Sequence, residues 1–154
     1  MAAELARSPT QNPEVPAAFA LRVAMAGRDP EHIRDAQALH TSLPGSGALS
    51  VATRRLSEAA LAAVEGRTDE ARAGMVQAHA ELERLGLQLD AAVAAVGAVG
   101  LLPDDPEIRR MAAAARPVLE RLGARPLLAQ LDAALGSSTS PAVREGASAE
   151  VVAD

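Results

Sequence analysis

Five letters, LERLG, occur twice in this chain, at residues 82–86 and again at residues 119–123. The apolar positions that precede the two copies keep the same spacing: Ala71, Ala78, Leu82 and Leu85 correspond to Ile108, Ala115, Leu119 and Leu122. A period of about 30 to 40 residues is typical of stacked helix-pair repeats, because one pair cannot bury its apolar face without a neighbour. The sequence therefore predicts an all-α fold in which antiparallel helix hairpins stack as a short α-solenoid.

Signals that start and stop helices divide the rest of the chain. Asp-Pro-Glu stands at residues 29–31 and again at residues 105–107, and each triplet predicts an aspartate N-cap followed by a proline in the first turn. Asn12 and Pro13 predict a similar start for the first helix, and Gly27 predicts its end in the left-handed conformation of a C-terminal cap. With apolar residues at three- and four-residue steps, these signals predict helices over residues 13–27, 30–39, 49–65, 69–85, 89–101, 106–122 and 126–135.

Three further features concern individual helices. Thr68 stands where its hydroxyl can cap the fourth helix. Pro117 lies in the middle of the sixth helix, where it removes one backbone hydrogen bond and predicts a kink or a split. The fifth helix, residues 89–101, is apolar on almost every side, which predicts that it is the most buried element.

All the predicted helices fall within one domain, a helical repeat domain over residues 13–136. A loop at residues 41–47 interrupts it. This loop contains Gly45-Ser46-Gly47, but a phosphate-binding loop needs a preceding strand and a following lysine, and the chain contains no lysine. Residues 1–12 are predicted as a disordered lead, and residues 137–154, which lack apolar periodicity, as a disordered tail.

Small residues recur at a particular spacing in the third and fourth helices. Ala59, Gly66, Ala71 and Ala78 stand seven, five and seven residues apart. Over residues 52–85 this pattern resembles the tetratricopeptide (TPR) repeat, in which small residues let the two helices of a pair cross closely. The resemblance implies a fold whose function is protein–protein interaction.

A longer region, residues 48–136, resembles the C-terminal end of large bacterial signalling proteins. The runs that carry this resemblance are EGRTDEARAGMVQAHAELERLGL and ARPVLERLGARPLLAQLDAAL. Proteins of this kind join a cyclase domain or a helix-turn-helix to a nucleotide-binding ATPase and a tetratricopeptide array. The resemblance implies the terminal helical-repeat segment of a signal-transduction or transcriptional regulator, and none of the catalytic motifs of such proteins occurs in this sequence.

Composition argues against several function classes. The net charge is −5 and Phe19 is the single aromatic residue, which disfavours nucleic-acid binding because phosphate contacts need cations and single strands need aromatic stacking. The absence of cysteine removes thiol chemistry. The longest apolar run, residues 91–102, is shorter than the ~20 residues of a membrane span, and the first residues do not resemble a secretory signal. We therefore expect a cytoplasmic protein without a membrane or nucleic-acid partner.

Histidines offer the first candidate for chemistry. His79 and Glu83 lie one helical turn apart and could share a metal ion. A metal site needs three or four converging ligands, however, and His32 and His40 belong to another predicted helix. Ordinary boundary residues are the favoured interpretation, and no metal or cofactor is predicted.

Charged residues around the sixth helix offer the second candidate. They share one face or close the helix end: Arg109, Arg116, Glu120, Arg121 and Arg125. A solvated face is favoured over a docking site for an acidic peptide or anion, since arginines near a helix C-terminus are stabilised by the helix dipole. Asp104 and Asp105 are better explained by helix capping than by acid–base catalysis, so no catalytic residue and no enzymatic activity are predicted.

Two function classes remain. The favoured one is a non-enzymatic protein–protein interaction module in which the concave side of the stack, lined by the first helix of each pair, holds a peptide or a neighbouring domain. The alternative is a small-molecule sensor that binds an apolar effector in an alanine-lined groove around residues 91–102.

Overall fold

The computed structural model describes residues 14–43 and 45–136, and these residues form seven α-helices and no β-strand. The helices are α1 (Glu14–Gly27), α2 (Pro30–Ser42), α3 (Ala48–Val64), α4 (Thr68–Arg84), α5 (Gln88–Leu101), α6 (Pro106–Arg121) and α7 (Arg125–Gly136). The predicted all-α fold is confirmed, and every helix starts and ends within three residues of its predicted position. The predicted cap at Asn12 and Pro13, the lead at residues 1–12 and the tail at residues 137–154 lie outside the described residues.

Several helix ends use the residues that the sequence indicated. Asp29 accepts a hydrogen bond from the Glu31 amide at 2.9 Å, and Asp105 accepts one from the Glu107 amide at the same distance. The LERLG copies end in Gly86 and Gly123, whose φ angles of 75° and 64° are left-handed. Glycine enters this region without the steric cost that a Cβ atom imposes, so each LERLG copy closes a helix.

Two predicted cap positions are wrong by one residue. Thr68 is the first residue of α4; the N-cap is Arg67, whose side chain makes no capping bond. Gly27 is the last residue of α1, and the left-handed residue that follows is Arg28, with a φ of 53°. A residue with a Cβ atom in this conformation carries about 1–2 kcal/mol of steric strain.

Pro117 does not divide its helix. The helix α6 runs from Pro106 to Arg121 without interruption. Pro117 is exposed, as is Ala113 one turn earlier, whose carbonyl group loses its usual amide donor. Because the broken hydrogen bond lies on the solvent side, water can satisfy the carbonyl group. The predicted split is therefore wrong, whereas the kink stays a prediction.

Side-chain bonds fix the directions of the later helices. Arg121 of α6 donates to Gln88 Oε1 of α5 at 2.7 Å, and Arg109 of α6 donates to the Leu135 carbonyl oxygen of α7 at 2.8 Å. Each bond joins the start of one helix to the end of the next. Hence α6 is antiparallel to both α5 and α7, and α5 and α7 run parallel.

The helix α5 lies at the centre of the packing. Each helix packs against the next along the chain, and further contacts join α3 with α5, α4 with α6 and α5 with α7. The first helix, α1, contacts both α3 and α5. Seven residues of α5 are buried, more than in any other described helix, which confirms the sequence prediction. In the described part of the chain, no helix combines the length and apolar character that crossing a bilayer requires.

Small residues bring α3 and α4 close together. Ala59, Ala71 and Ala78 are buried, as the resemblance implied. The closest approach is at Gly74, where a Cβ atom would stand 2.8 Å from the Cβ of Ala59. A side chain at Gly74 would have to push the two helices apart, since the opposing atom is fixed to the backbone of α3.

Candidate binding groove

A groove of about 610 Å³ lies between α1 and α7, over one side of α5. Both flanking helices pack against α5, but within the described residues they do not pack against each other. Arg22 forms an ion pair with Asp90, the Met25 side chain lies against Gly97, and the Arg28 side chain reaches Gly100. Residue numbers rise along both helices through these contacts, so α1 is parallel to α5. Because α7 is also parallel to α5, all three helices that frame the groove point the same way.

The lining of the groove is mainly apolar. It comes from α1, α3, α5 and α7, with Leu82 of α4 and Arg28, the residue after α1, as additions. Phe19, Val23 and Leu89 lie at its border and remain 65%, 56% and 45% exposed. Contiguous exposed apolar surface is uncommon on a soluble chain and typically marks an interaction site.

Part of the floor of the groove lacks a side chain. Gly97 and Gly100 of α5 both lie there, but the buried Met25 side chain covers Gly97, where an added Cβ would stand 2.9 Å from Met25 Cε. An added Cβ at Gly100 would meet only Arg28 Nε, at 3.8 Å, which is an ordinary contact distance. A ligand can therefore approach the backbone of α5 closely at Gly100, but not at Gly97.

The charged groups of the groove differ at its two ends. Near the start of α5, Arg22 and Asp90 neutralise each other as an ion pair. Near the end of α5, the guanidinium group of Arg28 makes no hydrogen bond or ion pair with any described residue. The strained backbone of Arg28 thus holds, at one end of an apolar groove, a cation that pairs with none of the described residues.

His79 and Glu83 lie elsewhere, on α4. Their Nδ1 and Oε2 atoms are 3.6 Å apart, beside a small cavity of about 90 Å³ that α5 and α6 complete. Burial lowers the pKa of His79 below its ordinary value of 6.5, and the charge of Glu83 opposes this shift only in part. His32 and His40 lie on α2, and the described residues contain no group of three or more side chains that could hold a metal ion.

Three arginines of α6 bind other parts of the chain. Arg109 donates to the carbonyl oxygens of Pro103 and Leu135, and Arg116 pairs with Asp132 of α7. Arg121 bonds to α5 as described above. Arg109 and Arg116 thus hold α7 in the position that makes it one wall of the groove, and Arg121 joins α6 to α5, so the three serve neither as a merely solvated face nor as a free docking site.

The remaining candidates are placed as follows. Glu120 lies 3.9 Å from Arg116, and Arg125 is the first residue of α7. Asp105 caps α6, in agreement with the sequence interpretation. The Gly45-Ser46-Gly47 loop is held by Arg54, which donates to the Gly45 carbonyl oxygen at 3.0 Å. None of these residues lines the groove.

Sequence reasoning missed two features of the groove. Phe19, Val23 and Ala26 stand at three- and four-residue steps, as the core-facing stripe of a helix would, but they border the groove. The residues of α1 that face the core are Ala17, Leu21, Ala24 and Met25. A helix with apolar residues on two faces has more than one face of contact, and that signal was available. No sequence signal indicates that Arg28 replaces Gly27 in the left-handed position.

Comparisons of the chain with protein-family models, with curated protein sequences and with solved structures found no match.

Proposed function

We propose that this chain is a non-enzymatic protein–protein interaction module that holds a segment of a partner protein in the groove between α1 and α7. One observation carries the proposal: Phe19, Val23 and Leu89 stay exposed around a single open groove. Removing exposed apolar side chains from water favours association, by about 25 cal/mol for each Å² of apolar surface buried.

The position of the groove supports the same proposal. Its lining comes chiefly from the first helix of each hairpin, which is the face that stacked helix pairs present to a peptide. The buried Ala59, Ala71 and Ala78 support a tetratricopeptide-like arrangement of α3 and α4. In this proposal the chain is the terminal helical-repeat segment of a bacterial signal-transduction or transcriptional regulator, and the partner is a separate protein or another domain of that regulator.

The polar groups of the groove support a binding role over catalysis. Asp90 is paired with Arg22, and Thr53 donates its hydroxyl hydrogen to the backbone of its own helix at 2.9 Å. Catalysis of acyl or proton transfer needs a nucleophile or a base within hydrogen-bonding distance of a second activating group. The described lining of the groove brings no such pair together.

A peptide selection tests the proposal. A displayed library of 16-residue peptides is selected on the immobilised chain, and the enriched peptides are titrated by fluorescence anisotropy. Gly100→Leu places a side chain in the groove, and Phe19→Ser removes the largest apolar side chain at its border. We expect both variants to weaken binding at least about tenfold, which corresponds to ~1.4 kcal/mol.

A matched control separates the groove from general surface stickiness. Leu122 is 53% exposed but lies outside the groove, so Leu122→Ser should leave peptide affinity unchanged. Circular dichroism must show that all three variants stay helical. Peptides that bind the wild type, Gly100→Leu and Phe19→Ser equally would refute the proposal, as would a selection that enriches no peptide.

A second candidate function is the sensing of a small apolar effector. The volume of about 610 Å³ favours it, since small-molecule sites commonly span roughly 300–1,000 Å³. Melting temperatures measured across a panel of apolar compounds test this candidate. Saturable stabilisation of the wild type that disappears in Gly100→Leu would support it, and unchanged melting across the panel would count against it.

A further inference from the structure

We infer that the segment held in the groove is an amphipathic α-helix of a partner protein that runs antiparallel to α1, α5 and α7 and places an acidic residue of its first turn against Arg28. This inference rests on the proposed function. It adds the secondary structure, the direction and the charge pattern of the bound segment.

The direction follows from the three helices that frame the groove. Because α1, α5 and α7 are parallel, their C-terminal ends at Gly27, Leu101 and Gly136 point toward the same end of the groove. The C-terminal end of a helix carries a partial negative charge, and the N-terminal end a partial positive charge. A fourth helix that enters antiparallel brings its positive end beside three negative ends, whereas a parallel helix would bring like charges together.

The charge pattern follows from Arg28, which lies at that same end. Its guanidinium group has no partner among the described residues, and its donors suit a carboxylate group, which can accept two parallel hydrogen bonds. An acidic residue in the first turn of the bound helix would reach this position. The first turn is also where an acidic residue stabilises the helix that carries it.

The strain at Arg28 strengthens this assignment. Arg28 has a left-handed φ of 53°, although the residue before it, Gly27, would take that conformation without strain. Non-glycine residues in this conformation occur disproportionately at binding sites, where the surrounding structure supports them. The left-handed backbone and the lack of a side-chain partner among residues 14–43 and 45–136 are two independent observations, and both belong to Arg28.

The apolar pattern follows from the other end of the groove. Phe19 lies nine residues before Arg28, which corresponds to about 13 Å along a helix, and Leu89 lies near Asp90 at the start of α5. An antiparallel helix therefore needs its apolar residues after the acidic one, at three- and four-residue steps over two to three turns. At the Arg28 end, the missing side chain at Gly100 lets such a helix approach α5 closely.

Synthetic peptides test the charge and the direction. The probe is the tightest peptide from the selection, prepared in three forms: with glutamate in its first turn, with glutamine at that position, and with the glutamate moved to its last turn. We expect the first form to bind the wild-type chain about tenfold more tightly than either of the others. Circular dichroism should show that the peptide becomes helical on binding.

Two variants of Arg28 complete the test. In Arg28→Gln the three peptide forms should bind with equal affinity, because the cation is gone. In Arg28→Gly the same loss of discrimination should occur, while the chain becomes more stable because glycine relieves the left-handed strain. A loss of discrimination in a more stable protein separates a ligand contact from damage to the fold.

The outcomes distinguish a failure of the proposed function from a failure of the inference about the bound helix. If no peptide depends on the groove, the proposed function itself fails. If peptides depend on Phe19 and Gly100 but ignore the glutamate, prefer it in the last turn or bind in an extended form, the inference is overturned and the proposed function stands. If light scattering shows a dimer that Phe19→Ser dissociates, the groove is occupied by a second copy, which also overturns the inference.

Discussion

The contact between Gly74 and Ala59 provides a quantitative test of how α3 and α4 pack. Replacing Gly74 with alanine would place a Cβ atom 2.8 Å from the Cβ of Ala59, where ordinary carbon–carbon contacts lie near 3.5–4.0 Å. The helices must therefore separate by roughly 1 Å along the most extensive interface of the fold. Both opposing atoms are Cβ atoms, so no rotation of a side chain can relieve the overlap.

The size of the effect follows from two opposing terms. Alanine is favoured over glycine inside a helix by about 1 kcal/mol. Overpacking of a close interface costs about 1–3 kcal/mol. We therefore expect Gly74→Ala to lower the free energy of unfolding by about 1 kcal/mol. Gly100→Ala has room for its methyl group, so it should raise the free energy of unfolding by up to 1 kcal/mol, as estimated from helix propensity alone.

Urea unfolding followed by circular dichroism measures both changes. A double-mutant cycle isolates the contact: Ala59→Gly removes the opposing methyl group, so the double variant Ala59→Gly with Gly74→Ala should show a coupling free energy of about 2 kcal/mol. If Gly74→Ala is as stable as Gly100→Ala, or if the cycle shows no coupling, the packing argument is wrong.

Three further predictions concern single residues. His40 is 4% exposed and its Nε2 atom has no hydrogen-bond partner among the described residues, so His40→Leu should raise the free energy of unfolding by about 1 kcal/mol in urea titrations; a loss of stability would contradict this account. Pro117→Ala restores a backbone donor inside α6 and should raise the melting temperature. Because water can already satisfy the exposed Ala113 carbonyl group, the free energy of unfolding should rise by less than the ~3 kcal/mol of an interior proline, and an unchanged melting temperature would contradict the prediction. The lowered pKa of His79 means that the unfolded chain binds more protons than the folded chain, so its contribution to stability is complete above pH ~6.5 and is lost as the pH falls through that value toward the folded pKa. Urea midpoints at pH 7.5 and pH 5 should therefore differ less in His79→Gln than in the wild type, and an identical pH dependence of the two proteins would refute the assignment.

Local features of the fold were predictable from the sequence because they depend on a few adjacent residues. Asp29 and Asp105 cap their helices through bonds to amides two residues later, and the glycines of the two LERLG copies close theirs. The apolar residues on almost every side of α5 also identified it as the most buried helix. The predicted cap at Thr68 is wrong by one residue, since several residues near the start of a helix can take the cap position.

Features that depend on packing between distant residues were not predictable in the same way. Leu49 and Leu122 share the apolar stripes of α3 and α6, yet they are 41% and 53% exposed because no neighbouring helix covers that part of each stripe. The groove itself forms because α1 contacts α5, a contact between residues far apart in the chain. The sequence predicts the alanine-lined groove around residues 91–102, but it does not indicate that α1 and α7 form the walls or that Arg28 lies at one end.

The two walls of the groove are the first and the last helix of the described chain, and this has a consequence for folding. The groove needs both α1 and α7. A folding intermediate in which only α3 to α6 have formed has no groove. A partner that binds the groove therefore binds the completely folded protein and stabilises it as a whole, by an amount that grows with the logarithm of partner concentration. Contacts between residues so far apart in sequence also form late, because closing long loops is entropically costly. Partner binding would thus report that folding is complete and would protect the finished chain from proteolysis.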